Sequence, residues 1–369
     1  MMRVSLFSDY QEDGWKSMDV YTDNLAWQVK QCVPDVVVTR YAAMQPFSSL
    51  FSKPHKFMRY CFRYCINPLL APFHQGDINH IIDQSNAHLL HILDRKKTVI
   101  TCHDLIVPLW QKENRVSFVP WIRHQVKLWR IRSLRLAAHI IAVSAYTKQE
   151  LMQKLSIPEA KITVIPEGVE RIFCPTSARL VSQIRKKYDF PKTFLLHVGS
   201  CAEYKNMEYL VRLFASLRKQ YPALYLVKVG SAWTKDLQNL IDTMHVGDHI
   251  RTIPYVPRED LPRIYAAAVC LVHPSIVEGF GLTVLEAMAC GCPVVVSDIP
   301  SHRELVGNAG VFFSLHTVSS GKEKIISVIE NTAKRKQFVQ KGISRARVFR
   351  WERTARLTAK VYLGIQKHV

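Results

Sequence analysis

The chain has 369 residues, 48% hydrophobic and 22% charged, with 50 Lys and Arg against 30 Asp and Glu for a formal net charge of +20. That composition excludes a disordered or fibrous chain, and the length suits two domains better than one core. The nine cysteines are scattered without paired C-x-x-C spacing, and there is no uncharged apolar run of about 18 residues, so neither a disulfide framework, a zinc site nor a transmembrane helix is expected.

The opening MMRVSLFSDYQEDG turns acidic after a short apolar run, unlike a signal peptide, and a reducing cytoplasmic location is expected. Residues 4–8 read as a strand, Gly14 sits in the loop after it, residues 17–32 as a helix and 35–38 as a second strand. Strands follow at 78–82, 98–101, 138–143 and 161–165, and Ser144 is placed to cap a helix over 146–154. Short strands separated by helical segments argue for a parallel, doubly wound sheet. A basic, mostly polar stretch punctuated by Pro175 and Pro191 marks the domain boundary.

The second half repeats the pattern, with strands at 194–198, 224–229, 250–255 and 269–273, and helices at 207–219 and 261–268. Residues 273–300, HPSIVEGFGLTVLEAMACGCPVVVSDIP, are the most informative stretch: loop, helix, tight turn, strand. Gly279 and Gly281 let the backbone approach a ligand closely. The helix from about Leu282 points its free N–H groups and positive dipole end at the same spot, where diphosphate is a common occupant. Glu278 on the loop and Glu286 one turn into the helix, with seven residues between them, can place one carboxylate near a sugar ring and another near a ribose diol. A G-x-G before a helix alone is a weak signal, and a single helical glutamate is usually a solvated face; the combination is what carries weight. The segment after Trp351 and Glu352 reads as a terminal amphipathic helix.

This stretch resembles, nearly residue for residue, the E-x7-E motif of the retaining glycosyltransferases of family 4, also described as glycosyl transferases group 1. The resemblance implies an α/β chain of GT-B architecture, two Rossmann-like domains whose parallel sheets face each other across a cleft. It implies an acceptor-side domain over 1–172, a linker over 173–191, a nucleotide-sugar domain over 192–348, and a helix over 349–369 returning to the first domain. The implied donor-binding residues are Glu286 on the ribose hydroxyls and Glu278 on the donor sugar, with Gly279 and Phe280 between them and the amides around Gly281, Leu282 and Thr283 facing sugar and diphosphate.

Other segments match the same family. HVGSCAEYKN, residues 197–206, looks like its first donor-domain loop, with Lys205 reaching the diphosphate; Ser200 stands where many members carry arginine, leaving the two-cation clamp incomplete. TCHDLIVPLW, residues 101–110, resembles the acceptor-side segment whose histidine, here His103, bonds a donor sugar hydroxyl or an acceptor group. Gly14 matches a glycine loop that often has two glycines, and Glu167-Gly168-Val169 matches a hinge-proximal turn that usually begins with asparagine. The expected catalytic set is thus Glu278, His103 and Lys205, and no cofactor is implied beyond the nucleoside-diphosphate sugar as substrate.

No Asp-x-Asp pair occurs, so the metal-chelating site of the other large transferase architecture is absent, and no metal ligands are expected; the pairs His88/His91 and His245/His249 read as ordinary histidines. Between residues 40 and 135, fifteen Lys and Arg face five Asp and Glu, with aromatics interleaved. Such a surface suits an anionic membrane, and the resemblance adds a glycan or lipid-linked acceptor; the competing readings are a solvated face or a nucleic-acid surface, the latter not expected. The function expected is retaining, metal-independent transfer of a sugar to an acceptor hydroxyl. The alternatives are an epimerase or phosphorylase of the same fold, or a basic nucleic-acid-binding protein.

Overall fold

A computed structural model of the chain describes residues 1–8, 16–42, 61–105 and 118–367, with the backbone alone at 16–17, 118–121 and 123. It divides into two compact units, one of Met1–Gly168 with Trp351–Val369, the other Val169–Arg350.

The first unit is built on a six-stranded sheet of β1 (Met2–Ser8), β2 (Val36–Ala42), β3 (Ile78–Ile81), β4 (Thr98–Cys102), β5 (His139–Ala142) and β6 (Ile162–Val164), in the order β2-β1-β3-β4-β5-β6. Every pairing is parallel; Val4 of β1, for example, lies between Val38 and Ile78. The interior strands are buried on both faces, which is why they read as continuous apolar runs rather than alternating ones. The helix Lys16–Cys32 covers one face with Tyr21, Leu25 and Val29.

The terminal helix Trp351–Gln366 belongs to this unit and packs into the same cluster through Trp351, Ala355, Ala359 and Tyr362. Polar contacts fix its register: Tyr362 Oη lies 2.6 Å from His80 Nδ1, and Thr354 donates to the Pro166 carbonyl at 2.7 Å.

The second unit has the same plan: β7 (Phe194–Val198), β8 (Tyr225–Val229), β9 (Ile250–Ile253), β10 (Cys270–His273), β11 (Val294–Ser297) and β12 (Val311–Phe313), in the order β12-β11-β10-β7-β8-β9, all parallel. The order reverses between β7 and β10, the point at which an open parallel sheet opens a crevice beyond its carboxyl ends. Residues 173–191, expected as a linker, carry the helix Ala178–Lys187, which lies inside this unit and is capped by Ser177. Lys187 and Tyr188 both reach Asp260.

Further helices appear where the patterning marks none, notably Lys235–Thr243, Val318–Glu330 and Thr332–Ala346. The last mixes five Lys and Arg with Phe338, Val339 and Ile343. Its fully buried residues are Gly342 and Ala346, and a Cβ at Gly342 would already stand 3.5 Å from Met288 Cβ, so the helix approaches its neighbour closely there.

Candidate active site

The site in the second unit grows from the carboxyl ends of β7 and β10, the two strands flanking the switch point. After β7 the chain passes Gly199-Ser200-Cys201 and a short 3-10 turn, Glu203–Lys205, before entering the helix Met207–Arg218. After β10 it runs through Pro274 and Ser275 to Glu278 and then into the helix Leu282–Ala289. A backbone bond from Ile276 N to Tyr204 O, 2.8 Å, ties the two loops together.

Gly281 caps the second helix with φ +102°, a conformation side chains rarely adopt, and a Cβ there would stand 3.3 Å from Leu305 Cδ2. The amides of Leu282 and Thr283 lie in the first turn, where no intrahelical acceptor exists, while Val284 and Leu285 bond back to Gly281 O. The glycine therefore opens a helix start bearing donor N–H groups beside the loop carboxylate.

Glu278 is buried, and its Oε1 takes three bonds: Lys205 Nζ at 2.6 Å, Ser275 Oγ at 2.6 Å and His273 Nε2 at 3.0 Å. Burial alone would raise its pKa, but the Lys205 charge and the His273 hydrogen bond outweigh that and hold the carboxyl well below the usual range. His273 has its own pKa lowered by burial, so its ring is neutral with the proton on Nε2, facing Glu278. No described residue bonds Glu278 Oε2, the oxygen available to a ligand hydroxyl.

Glu286, on the helix, is equally buried. Its Oε1 accepts from Arg258 Nη2 at 3.0 Å and its Oε2 from Tyr265 Oη at 3.0 Å. Here burial wins and the pKa is raised, although Arg258 and Tyr265 oppose it. Two carboxylates on one motif thus sit in opposite electrostatic settings.

Of the other expected donor residues, Ser200 is exposed in the loop and accepts from Ala202 N at 3.4 Å. Gly279 is buried, and Phe280 turns inward against Phe349, ring centroids 5.8 Å apart, so its side chain packs. Gly14 lies outside the described residues.

His103, expected to face a ligand, is buried in the first unit with both ring nitrogens engaged. Nδ1 lies 2.8 Å from Glu167 Oε1 and Nε2 3.0 Å from the Ile82 carbonyl. Both partners are acceptors, so the ring must donate twice, as imidazolium. Burial opposes that charge, but Glu167 and Asp83 prevail and raise the pKa to about 9. In this structure His103 has no nitrogen left for a sugar, and Glu167, read in the sequence only as a turn residue, is its partner.

Arg258, Tyr265, His273 and Ser275 were not among the expected residues. His273 and Ser275 lie inside the quoted motif, and Ser275 stands three residues before Glu278, a spacing that could have marked it. Arg258 is 28 residues from Glu286 on a different element, and no sequence spacing signals it. The histidine pair His88 and His91 bonds Arg63 O and Ser133 Oγ, and among the described residues no group of three or more His, Cys, Asp or Glu side chains is placed to hold a metal ion.

Comparison with known proteins agrees with this geometry. Residues 181–345 match the family model for glycosyl transferases group 1, and residues 22–171 that for glycosyltransferase family 4. The chain is 30% identical over 293 residues to the O-antigen chain mannosyltransferase B of Escherichia coli, covering 77% of this chain and 74% of that protein. It is 27% identical over 268 residues to the serotype-specific mannosyltransferase WbdA of Escherichia coli, covering 71% of this chain but 32% of that longer protein. The fold matches that of Anabaena HepE, solved in complex with UDP-glucose, with a TM-score of 0.78 at 19% identity over 99% of this chain and 100% of that one. With both of its sheets, its E-x7-E helix and a mannosyltransferase relative spanning most of its length, the chain belongs to the group 1, family 4 glycosyltransferases of GT-B fold, and is a hexosyltransferase.

Proposed function

We propose that the protein transfers a sugar, with retention of anomeric configuration and without a metal ion, from a nucleoside-diphosphate sugar to an acceptor hydroxyl on a glycan or lipid-linked glycan of the O-antigen type. The names of the Escherichia coli relatives and the UDP-glucose bound to HepE support donor and pathway class. In this reading the second unit holds the donor, the first unit with its terminal helix receives the acceptor, and the enzyme works on the cytoplasmic side of an anionic membrane. The observation that carries it is the meeting of Lys205 with Glu278 at the switch point, beside a helix start whose own Glu286 is buried.

Charge on the departing diphosphate is met by Lys205 and by the amides of the Leu282 helix start, a preorganised electrostatic arrangement that does the work a divalent ion does elsewhere. Glu278 Oε2 takes a donor-sugar hydroxyl, and Glu286 the ribose diol. Glu278 is a poor nucleophile, since its Oε1 already accepts three hydrogen bonds and its pKa is depressed. Retention is therefore assigned to attack on the face the leaving group vacates, with the departing diphosphate taking the acceptor's proton.

A thermal-shift panel of nucleotide sugars, followed by nucleoside-diphosphate release with and without acceptor, tests this, because a true donor stabilises the folded state by mass action. Glu286→Ala should weaken donor binding by about 1.5–3 kcal/mol, the worth of a charged hydrogen bond, and Glu278→Ala should lower turnover more than binding. If both variants transfer sugar like the parent, the assignment of the motif is wrong.

A further inference from the structure

Arg258 stands between two carboxylates. It lies in the short turn Arg258–Asp260 that leads into the helix Leu261–Ala267, the element that also carries Tyr265. One guanidinium thus reaches Glu286 Oε1 at 3.0 Å and bonds Glu170, the second residue of the second unit, while its face covers the Phe173 ring at 4.9 Å. Phe173 in turn packs edge-on against Tyr265, centroids 6.2 Å apart. A purely structural ion pair would be complete with Glu170. The additional contact to Glu286 ties a buried motif carboxylate to a cation on another element.

We propose that Arg258 is a positioning residue for the donor ribose: with Tyr265 it clamps one lone pair on each oxygen of Glu286, keeping the group an oriented carboxylate with two acceptor sites left for a vicinal diol. The inference rests on the reading of Glu286 as the ribose ligand. A carboxylate has about four acceptor positions, and only the ionised form offers them all. The groups facing Glu286 that can carry charge are Arg258, Tyr265, Glu170 and, on its own helix, Cys290. Tyr265 stays a donor because burial pushes its phenol up, and Arg258 is the sole cation in this set. Without it, a buried carboxyl already raised by desolvation gains a further reason to hold a proton and loses its power to accept from both hydroxyls.

The experiment measures binding of UDP, GDP and ADP by calorimetry, takes the tightest of them, and compares it with its 2′-deoxy counterpart from about pH 6 to 9, for the parent, Arg258→Gln, Arg258→Lys and Glu286→Gln. The parent should prefer the ribonucleotide by tenfold or more at every pH. Arg258→Gln should lose most of that preference near pH 6 and regain part of it as pH rises. Arg258→Lys, which keeps the charge, should keep the flat pH profile. If Arg258→Gln melts within a few degrees of the parent and keeps the full ribose preference at all pH values, the inference falls. A Glu286→Gln variant with the parent's preference instead overturns the ribose assignment beneath it.

Discussion

Lys205 Nζ lies 2.6 Å from Glu278 Oε1, an ion pair that joins two loops 73 residues apart in the chain. Both partners are largely withdrawn from solvent, with side-chain exposures of 14% and 9%, so the pair is not an incidental surface contact. It holds a cation against the loop that leads into the helix start at Gly281.

Lys205→Ala should therefore act on turnover. Removing one preorganised donor of this type costs about 10²–10³ in kcat, roughly 2.7–4 kcal/mol. Glu278 should stay in place, since Ser275 and His273 still hold Oε1. Steady-state kinetics with saturating donor measure it; a loss of less than about tenfold would show that the lysine only neutralises Glu278.

Chelation makes the complementary test. With Lys205 and the helix dipole supplying positive charge, transfer should persist in excess EDTA. Modest stimulation by magnesium is compatible, because a cation can speed product release. Complete loss in chelator, restored by manganese or magnesium, contradicts the metal-free reading.

The sequence made the strands and the E-x7-E helix legible for a physical reason: fully buried parallel strands leave apolar runs such as 294–296, and a helix start after Gly-x-Gly leaves a local signature. What it could not show was long-range pairing. Arg258 and Glu286 are brought together by packing of separate helices, and nothing local to either residue encodes that contact. His103 is the opposite lesson. It follows the end of β4, as the apolar run before it implies, but the sequence holds no hint that Glu167, 64 residues on, occupies its ring. The helix Thr332–Ala346 carries its apolar stripe, Phe338, Val339, Gly342, Ile343 and Ala346, only in its C-terminal half, and the fully buried members are the small Gly342 and Ala346, so its hydrophobic period is short and weak in the sequence.

The His103–Glu167 pair gives a stability prediction with a definite sign. A group whose folded pKa is raised, here from 6.5 to about 9, contributes fully below its unfolded pKa and loses that contribution as pH rises through the folded one. At 1.36 kcal/mol per pKa unit the effect is on the order of 3 kcal/mol. The stability difference between the parent and His103→Gln should thus be largest near pH 6 and shrink towards pH 9 or above. Denaturant unfolding across that range measures it. A difference that instead grows as pH rises from 6 would mean the ring is neutral in the folded protein, and a flat one that its pKa is the same folded and unfolded.

The proposed membrane docking has a narrower candidate surface than charge alone gives. The consecutive short helices Phe62–Ile66, Asn67–Leu70 and Ala71–His74 of the first unit leave Ile66, Leu69, Leu70 and Phe73 exposed, with Leu69 at 71% and Phe73 at 82%. Phe62 is buried and serves the core instead. On the helix Phe118–Arg132, Trp129 and Ile122 are also partly exposed, while Trp129 stacks on His91 at 5.1 Å. Arg63, Lys127 and Arg130 supply cations on the same segments; Arg59 and the Arg123 side chain lie outside the described residues. Exposed apolar side chains beside cations suit insertion at an anionic headgroup layer, each cation adding about 1 kcal/mol near the surface. No described helix is long and apolar enough to cross a membrane, so attachment by this route would be peripheral. The protein should cosediment with anionic vesicles at low salt, weakly with neutral ones, and less in about 0.5 M salt, where screening is short-ranged. The double variant Leu69→Glu, Phe73→Glu should abolish vesicle binding and leave nucleotide binding and melting temperature unchanged, because both side chains already face solvent. Equal partition of the parent to neutral and anionic vesicles, or none to either, would instead point to an acceptor met in solution.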